Sequence, residues 1–170
     1  MTRVCLVCMG NICRSPMAET VLRRVLADHG LDDQVTVDSA GTGGWHAGMP
    51  MDERALSTLS SHGYDGSGHR ARQFEARWFA ERDLVLVMDA DNLRALRRLA
   101  PPGAEVRLFR SFDPAAPEGA EVPDPYYGGA EGFLDVLTMV EAASEGLVKH
   151  LKERRSPQVD LACRPPLDGR

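Results

Sequence analysis

One segment of nine residues, 8–16, combines side chains that could perform chemistry together. It runs Cys8, Met9, Gly10, Asn11, Ile12, Cys13, Arg14, Ser15 and Pro16. A thiol is a nucleophile only as the thiolate, and a helix N-terminus with a nearby guanidinium favours that anion. The planar fork of an arginine can hold two phosphate oxygens at once, which a lysine cannot do equivalently. The segment therefore indicates phosphoryl chemistry at Cys8, with Arg14 as the anion binder.

Backbone and hydroxyl donors complete this segment. Successive N–H groups of a tightly wrapped loop form an anion nest, and Gly10 accepts backbone angles that a side chain resists. Ser15 can donate its hydroxyl to the Cys8 sulfur, which makes the thiolate a better leaving group when a phosphocysteine is hydrolysed. Phosphoryl transfer also needs a proton source for the leaving oxygen, and that group must come from elsewhere in the chain.

The elements around the segment predict an α/β fold. Short apolar runs alternate with helical patterns, which is typical of βαβ units around a mainly parallel sheet. Strands are predicted at 3–7, 34–38, 84–88 and 106–109. Helices are predicted to begin after Ser15 as N-cap, with Pro16 in the first position, and after Asp52, and to cover 91–99 and about 130–154. The segment 8–16 therefore lies between the first strand and the first helix.

Length and charge limit the function classes. The 170 residues fit one domain, which we expect over 1–154, with a disordered tail over 155–170. The 20 Lys and Arg against 25 Asp and Glu argue against non-specific binding to nucleic acid or anionic membrane. No apolar run approaches the ~18 residues of a membrane span, and no signal-peptide pattern opens the chain. We expect a cytoplasmic protein whose four cysteines are thiols.

The segment 8–16 resembles the C-x-G-N-x-C-R-S-P phosphate loop of the low-molecular-weight protein tyrosine phosphatases, bacterial type. The resemblance covers about residues 4–151 through Asp38-Ser39-Ala40, Trp45, the run 69–73, Met88-Asp89 and Asp124-Pro125-Tyr126-Tyr127. It implies a single domain with a central four-stranded parallel sheet flanked by helices on both faces. It also implies hydrolysis of protein phosphotyrosine and small aryl phosphates through a phosphocysteine, without a metal.

The resemblance assigns roles to individual residues. Cys8 would be the nucleophile, and Arg14 would bind the phosphate and the transition state. Asp124 would protonate the leaving phenol and then act as base toward the hydrolytic water. The substrate would contact the loop and two aromatic walls, through Met9, Gly10, Asn11, Ile12, Cys13, Ser15, Trp45 and Tyr126. Hydrogen bonds that join the loop to the rest of the fold would involve Asn11, Ser39 and His69.

Cys13 is a further candidate, as redox partner of the nucleophile five residues before it. A loop curled around a phosphate could bring the two Cα atoms within the roughly 4.4–6.8 Å that a disulfide requires. The alternative is that Cys13 only packs behind the loop. Other residues also have structural alternatives: Cys8 as a core thiol, Asp124 as a turn former, and Trp45 and Tyr126 as covers of the core edge. We expect a structural role for His69.

Three alternative functions remain open. An arsenate reductase on the same scaffold needs further thiols, and none occurs between Cys13 and Cys163. A protein arginine phosphatase typically has threonine where this chain has Ile12. A non-catalytic phosphate-binding module would be expected to lack Cys8 or Asp124.

Partners follow from the favoured function. We expect tyrosine-phosphorylated proteins, and inorganic phosphate or other oxyanions in the loop, but no nucleic acid, membrane, metal or cofactor. The five histidines show no metal-binding spacing. Cys5 and Cys8 should lie on opposite faces of a strand, which excludes a two-cysteine metal or redox pair. We expect a monomer or a weak homodimer.

Overall fold

The computed structural model describes residues 1–155, in which a four-stranded parallel sheet is flanked by helices. The strands are β1 (Thr2–Cys8), β2 (Val35–Gly41), β3 (Leu84–Val87) and β4 (Val106–Leu108). The helices are α1 (Arg14–Asp28), α2 (Glu53–Ser61), α3 (Ala90–Leu99) and α4 (Ala130–Arg155). The predicted fold class is confirmed. The tail predicted at 155–170 lies, apart from Arg155, outside the described residues.

The sheet has the order β2-β1-β3-β4, so that β1 is central. Alternate residues of β1 enter different apolar layers. Leu6 and Cys8 pack with α1 and α4, whereas Cys5 and Val7 pack with Phe74 and other residues on the opposite face. Cys5 and Cys8 therefore point to opposite faces, as the strand periodicity predicted. Full burial of an aliphatic side chain contributes about 1.5–3 kcal/mol, so both layers hold β1 in a fixed register.

The start of α1 differs from the prediction. The helix begins at Arg14, and its N-cap Cys13 makes no side-chain capping hydrogen bond. The prediction that Ser15 is the N-cap, with Pro16 in the first helical position, is therefore wrong. The physical reason is that the Ser15 hydroxyl lies in the first turn and is engaged by Cys8 and Asn11 instead. The N-terminus of α1 therefore lies closer in sequence to Cys8 than the capping pattern indicated.

Two other helices begin at aspartate caps. Asp52 accepts a hydrogen bond from the Arg54 N–H at 2.8 Å, which confirms the predicted cap of α2. Asp89 caps α3 by accepting from the Asn92 N–H at 2.8 Å, so this helix begins one residue before the predicted 91. Two 3₁₀ helices, Ala76–Glu81 and Phe109–Phe112, were not predicted. Helices of only one or two turns carry too few residues for a periodic pattern.

The carboxyl ends of the central strands bring the site together. Parallel strands end at one edge of the sheet, where ligands bind in open α/β folds. Cys8 ends β1 opposite Gly41 at the end of β2, and Met88 follows β3. The Val122 N–H donates to the Met88 carbonyl at 2.7 Å, which attaches the long loop before α4 to this edge. Residues far apart in sequence therefore meet next to Cys8.

Candidate active site

Cys8 lies at the base of a cavity of about 240 Å³ and is only 3% exposed. The Ser15 Oγ lies 2.9 Å from the Cys8 Sγ, and the Asn11 N–H donates to the same sulfur at 3.3 Å. The Ser15 oxygen accepts from the Asn11 side-chain amide at 2.9 Å, and its single proton has two acceptors in reach, the Cys8 sulfur at 2.9 Å and the Ala40 carbonyl at 3.3 Å, of which the sulfur is the nearer. These donors, together with the N-terminus of α1, stabilise negative charge on the sulfur.

Asn11 fixes the curvature of the loop. Its backbone has a φ of 57°, in the left-handed region that asparagine tolerates better than most residues. The buried amide donates to Ser15 Oγ and to Ser39 Oγ at 3.0 Å, and its oxygen accepts from the Arg72 N–H at 2.9 Å. An aspartate has no N–H donors and could not make this set. These bonds join the loop to Ser39 of β2 and to the backbone of Arg72.

His69, Ser39 and Glu19 support the loop from behind. His69 Nε2 lies 2.7 Å from the Asn11 carbonyl oxygen, so this nitrogen carries the proton. Ser39 donates to Glu19 Oε2 at 2.9 Å, and His69 Nδ1 lies 3.7 Å from the same oxygen. Burial alone would raise the pKa of Glu19, but the neighbouring His69 side chain, the hydrogen bond from Ser39 and the charge of Arg23 lower it. Glu19 is thus an ionised member of the network that sequence reasoning missed.

Arg14 is held rigidly beside the nucleophile. Its guanidinium is 3% exposed, and Nη1 donates to Asp89 Oδ2 at 2.6 Å and to the Val122 carbonyl at 3.0 Å. Nη2 lies 3.7 Å from Asp124 Oδ2. Burial would lower the pKa of Arg14, but the negative charges of Cys8, Asp89 and Asp124 raise it. The side chain is therefore a permanent cation with one nitrogen anchored.

Asp124 reaches the same cavity from the loop before α4. Its side chain is 33% exposed, and Oδ1 accepts from the Tyr126 N–H at 3.1 Å. This bond forms an Asx turn, so Asp124 makes the turn that its position before Pro125 suggests. The second oxygen, Oδ2, faces Arg14 across the cavity. The turn therefore aims a carboxyl group into the cavity that contains the thiol.

Tyr126 lines the cavity as predicted, but Trp45 does not. The Trp45 side chain is 71% exposed, and its ring lies directly against Gly43. The next residue, His46, forms that part of the wall and lies so near Gly10 that a Cβ there would approach its ring to 3.0 Å. Loop sequence does not specify which of two adjacent side chains turns inward, and the small Gly43 leaves room for the indole. Neither His46 nor Tyr127, which also lines the cavity, was predicted.

The remaining loop residues divide into two groups. Met9, Gly10, Ile12 and Cys13 line the cavity, whereas Asn11 and Ser15 act behind it through the bonds described above. Cys13 is 5% exposed, and burial, followed by the charge of Asp52, raises the pKa of its thiol to about 12. Cys5, Cys8 and Cys13 are all reduced thiols in the structure.

Residues 1–155 contain neither a cluster of metal-ligating side chains nor a helix suited to crossing a membrane. No three or more His, Cys, Asp or Glu side chains in this part of the chain are grouped so that they could hold a metal ion. None of its helices combines the length and apolar character that crossing a membrane requires.

Comparisons with known proteins agree with this geometry. A family model described as low molecular weight phosphotyrosine protein phosphatase matches residues 3–157. A low molecular weight protein-tyrosine-phosphatase of Streptomyces coelicolor is 57% identical over 156 residues, which cover 89% of this chain and 94% of that protein. Low molecular weight protein-tyrosine phosphatase A of Mycobacterium tuberculosis is 46% identical over 152 residues, covering 89% and 92%.

Solved structures show the same similarity. A protein tyrosine phosphatase of Entamoeba histolytica, with Hepes in its active site, superposes with a TM-score of 0.87 at 35% identity, covering 91% of this chain and 99% of that one. An arginine phosphatase of Drosophila superposes with a TM-score of 0.82 at 30% identity, covering 89% and 98%.

Proposed function

The chain belongs to the low molecular weight phosphotyrosine protein phosphatase family, and we propose that Cys8, Arg14 and Asp124 carry out its reaction. It is a protein-tyrosine phosphatase that hydrolyses phosphotyrosine through a cysteine nucleophile. The observation that carries the residue assignment is the convergence of the Cys8 thiol, the Arg14 guanidinium and the Asp124 carboxyl on one cavity. Each comes from a different element, and no core-packing requirement explains that convergence.

In the first step, the Cys8 thiolate attacks the phosphorus while the bond to the phenolic oxygen breaks. The equatorial phosphate oxygens accept hydrogen bonds from the loop N–H groups and from Arg14. Asp124, protonated in this step, gives its proton to the leaving oxygen. Because Asp89 and Val122 anchor Nη1, the guanidinium is oriented before the substrate arrives.

In the second step, water attacks the phosphocysteine and the phosphorus–sulfur bond breaks. Asp124, now a carboxylate, takes a proton from the water, and inorganic phosphate is released. The Ser15 hydroxyl, 2.9 Å from the sulfur, donates to the departing thiolate and lowers the energy of its charge. Ser15 therefore acts on the reacting sulfur rather than on the substrate.

The substrates we propose are tyrosine-phosphorylated proteins of the cytoplasm, and the oligomer a monomer or weak homodimer. Cys8 lies at the base of the cavity, and Tyr126 and Tyr127 stand at its wall. Aromatic walls favour a phenyl ring by offset or edge contacts. Ile12 adds apolar surface to the same wall, which suits a phenyl ring better than a guanidinium.

The test compares phosphate release from matched phosphotyrosine and phosphoarginine peptides, without added thiol or metal. We expect hydrolysis of the phosphotyrosine peptide at a much higher kcat/KM. Cys8→Ser should abolish turnover and retain the fold and phosphate binding, because serine is nearly isosteric but is not ionised at neutral pH. Arg14→Lys should also be severe, since a point charge does not reproduce the fork.

Two results would contradict the proposal. Preferred hydrolysis of phosphoarginine would assign the substrate class of the Drosophila neighbour instead. Substantial turnover by Cys8→Ser would remove Cys8 from the mechanism while leaving the family assignment unchanged.

A further inference from the structure

A second cavity, of about 700 Å³, adjoins the network behind the phosphate loop. Its lining shares no residue with that of the catalytic cavity. Four of its lining residues are arginines, namely Arg23, Arg24, Arg70 and Arg72. The chain as a whole has a net charge of −5, so this concentration of guanidinium groups runs against the average composition. We call this cavity the arginine groove.

The carboxylates of the arginine groove are already engaged. Glu19 accepts hydrogen bonds from Arg23 and Ser39 and lies 3.7 Å from His69 Nδ1. Asp65 accepts a hydrogen bond from the Ser67 N–H at 2.9 Å. Two of the arginines are engaged as well, because Arg23 pairs with Glu19 at 2.9 Å and Arg72 pairs with Asp38 at 2.7 Å. The charge available to a ligand is therefore that of Arg24 and Arg70.

Arg70 and Arg24 present the most accessible charge of the groove. Arg70 is exposed, and within residues 1–155 it forms no ion pair; its Nη1 donates only to the neighbouring His69 carbonyl. Arg24 is 57% exposed and makes a loose contact of 3.6 Å with Asp28. Both guanidinium groups can turn toward an anion in the groove without breaking a close carboxylate pair.

We propose that the arginine groove binds a small molecule with a chain of linked phosphates. Arg24 on α1 and Arg70 in the loop before the first 3₁₀ helix offer two guanidinium forks from different elements at one open cavity, and each fork can hold a different phosphate of a connected chain. Tyr64, the aromatic residue of the lining, has the Arg24 guanidinium 5.9 Å from its ring centroid and its hydroxyl bonded to Glu141. The recognised group is therefore the phosphate chain itself.

A ligand in the arginine groove would affect the phosphate loop through the contacts of Arg23. This arginine donates to Glu19 at 2.9 Å and to the Val37 carbonyl at 2.6 Å, and its side chain is 61% exposed. A bound phosphate competes with Glu19 for the guanidinium. Glu19 in turn holds Ser39 and His69, which position Asn11. We expect this change to loosen the loop and lower kcat.

Binding is tested by calorimetry with inorganic triphosphate, while saturating benzylphosphonate fills the catalytic cleft. The wild type should bind one triphosphate, and Arg24→Ala combined with Arg70→Ala should weaken binding tenfold or more. Arg98→Ala, an exposed arginine on α3 with the same change of charge, should bind like the wild type. Affinity should fall as salt rises, because the contacts are ionic. Equal binding by the groove variant and Arg98→Ala would overturn the proposal.

Coupling is tested by the kinetics of phosphotyrosine peptide hydrolysis with triphosphate present. Competition at the catalytic loop raises the apparent KM, whereas groove occupancy should lower kcat at saturating peptide, by about twofold or more. The groove variant should lose the kcat effect and keep the competition, with unchanged basal activity and melting temperature. An unchanged kcat in the wild type would overturn the coupling. A nucleoside triphosphate that binds at least tenfold more tightly than triphosphate would identify a nucleotide as the source of the chain.

Discussion

The Arg14 guanidinium and the Asp89 carboxylate join the phosphate loop to the beginning of α3, with Nη1 2.6 Å from Oδ2. Asp89 also caps α3 through its other oxygen, which accepts from the Asn92 N–H. One carboxylate therefore couples a helix terminus after β3 to the phosphate-binding residue that follows β1. The pair is sensitive because the Arg14 side chain is only 3% exposed, so little water can replace a lost partner.

The substitution Asp89→Asn separates the capping of α3 from the ion pair with Arg14. Asparagine caps a helix about as well as aspartate, so the melting temperature should change little. The ionic partner of Arg14 is lost, and kcat/KM for phosphotyrosine peptides should fall about 10- to 100-fold, the range expected for a hydrogen bond to a charged group. Most of that loss should be in kcat, since Asp89 acts through the orientation of Arg14. Asp91→Asn, on the exposed first turn of α3, is the matched control. A wild-type kcat in Asp89→Asn would show that Arg14 keeps its orientation without this charge.

The loop itself could be predicted from sequence because its chemistry is local. Cys8 and Arg14 lie six positions apart between a strand and a helix, so one tight turn necessarily brings them together. The cap at Asp52 is local as well. The roles of Glu19 and Asp89 were not predicted, for the opposite reason, although Met88-Asp89 is among the residues that carry the resemblance. Their partners come from other elements, and neither an exposed-looking helix glutamate nor an aspartate after a strand carries a local signal for such a partner.

Ser15 and Trp45 show a second limit of sequence patterns. A serine before a proline fits the pattern of a helix cap, yet here its hydroxyl turns toward Cys8, because the helix starts two residues earlier than predicted. An aromatic residue in a glycine-rich loop fits a cleft wall, yet the Trp45 ring lies on Gly43. Both differences concern the direction of a side chain rather than its position, and that direction depends on tertiary contacts.

The acid role of Asp124 predicts a dependence on the leaving group. Asp124→Asn should lower the rate for phenyl-type phosphate esters by about 10² to 10⁴, the usual contribution of general acid catalysis. Activated aryl phosphates need little protonation of their leaving oxygen, so their loss should be much smaller. Rates for a series of aryl phosphates of decreasing phenol pKa measure this difference. Equal losses across the series would assign Asp124 only the turn that it forms with Tyr126.

The wall residues predict a difference between two aromatic substitutions. Tyr126→Ala should reduce the preference for aryl over alkyl phosphates several-fold, since an aromatic pair contributes about 0.5–1.5 kcal/mol beyond burial. Trp45→Ala should change that preference less, because the indole lies outside the cavity lining. The kcat/KM values for matched aryl and alkyl phosphates give the ratio for each variant. A larger effect at Trp45 would mean that its ring moves onto the substrate during binding.

We expect Cys13 to protect Cys8 against irreversible oxidation by peroxide. Hydrogen peroxide oxidises the Cys8 thiolate to a sulfenic acid and is itself reduced to water. The Cys13 sulfur then attacks the Cys8 sulfur, so that the disulfide forms, the sulfur–oxygen bond breaks and water leaves with the Cys13 proton. Dithiothreitol reverses the disulfide but not over-oxidised sulfinic acid. Activity should therefore recover in the wild type and much less in Cys13→Ser, whereas Cys163→Ser should recover like the wild type.

The raised pKa of Cys13 adds a pH dependence to this protection. Its thiol has a pKa of about 12 and must lose its proton to attack the sulfenic acid. Below that pKa the thiolate fraction rises about tenfold with each pH unit, so disulfide formation should accelerate as pH rises. Rapid quenching of peroxide-treated protein at several pH values, with the disulfide quantified by mass spectrometry, measures this rate. A rate that does not increase with pH, or equal recovery in Cys13→Ser and wild type, would leave Cys13 as a packing residue behind the loop.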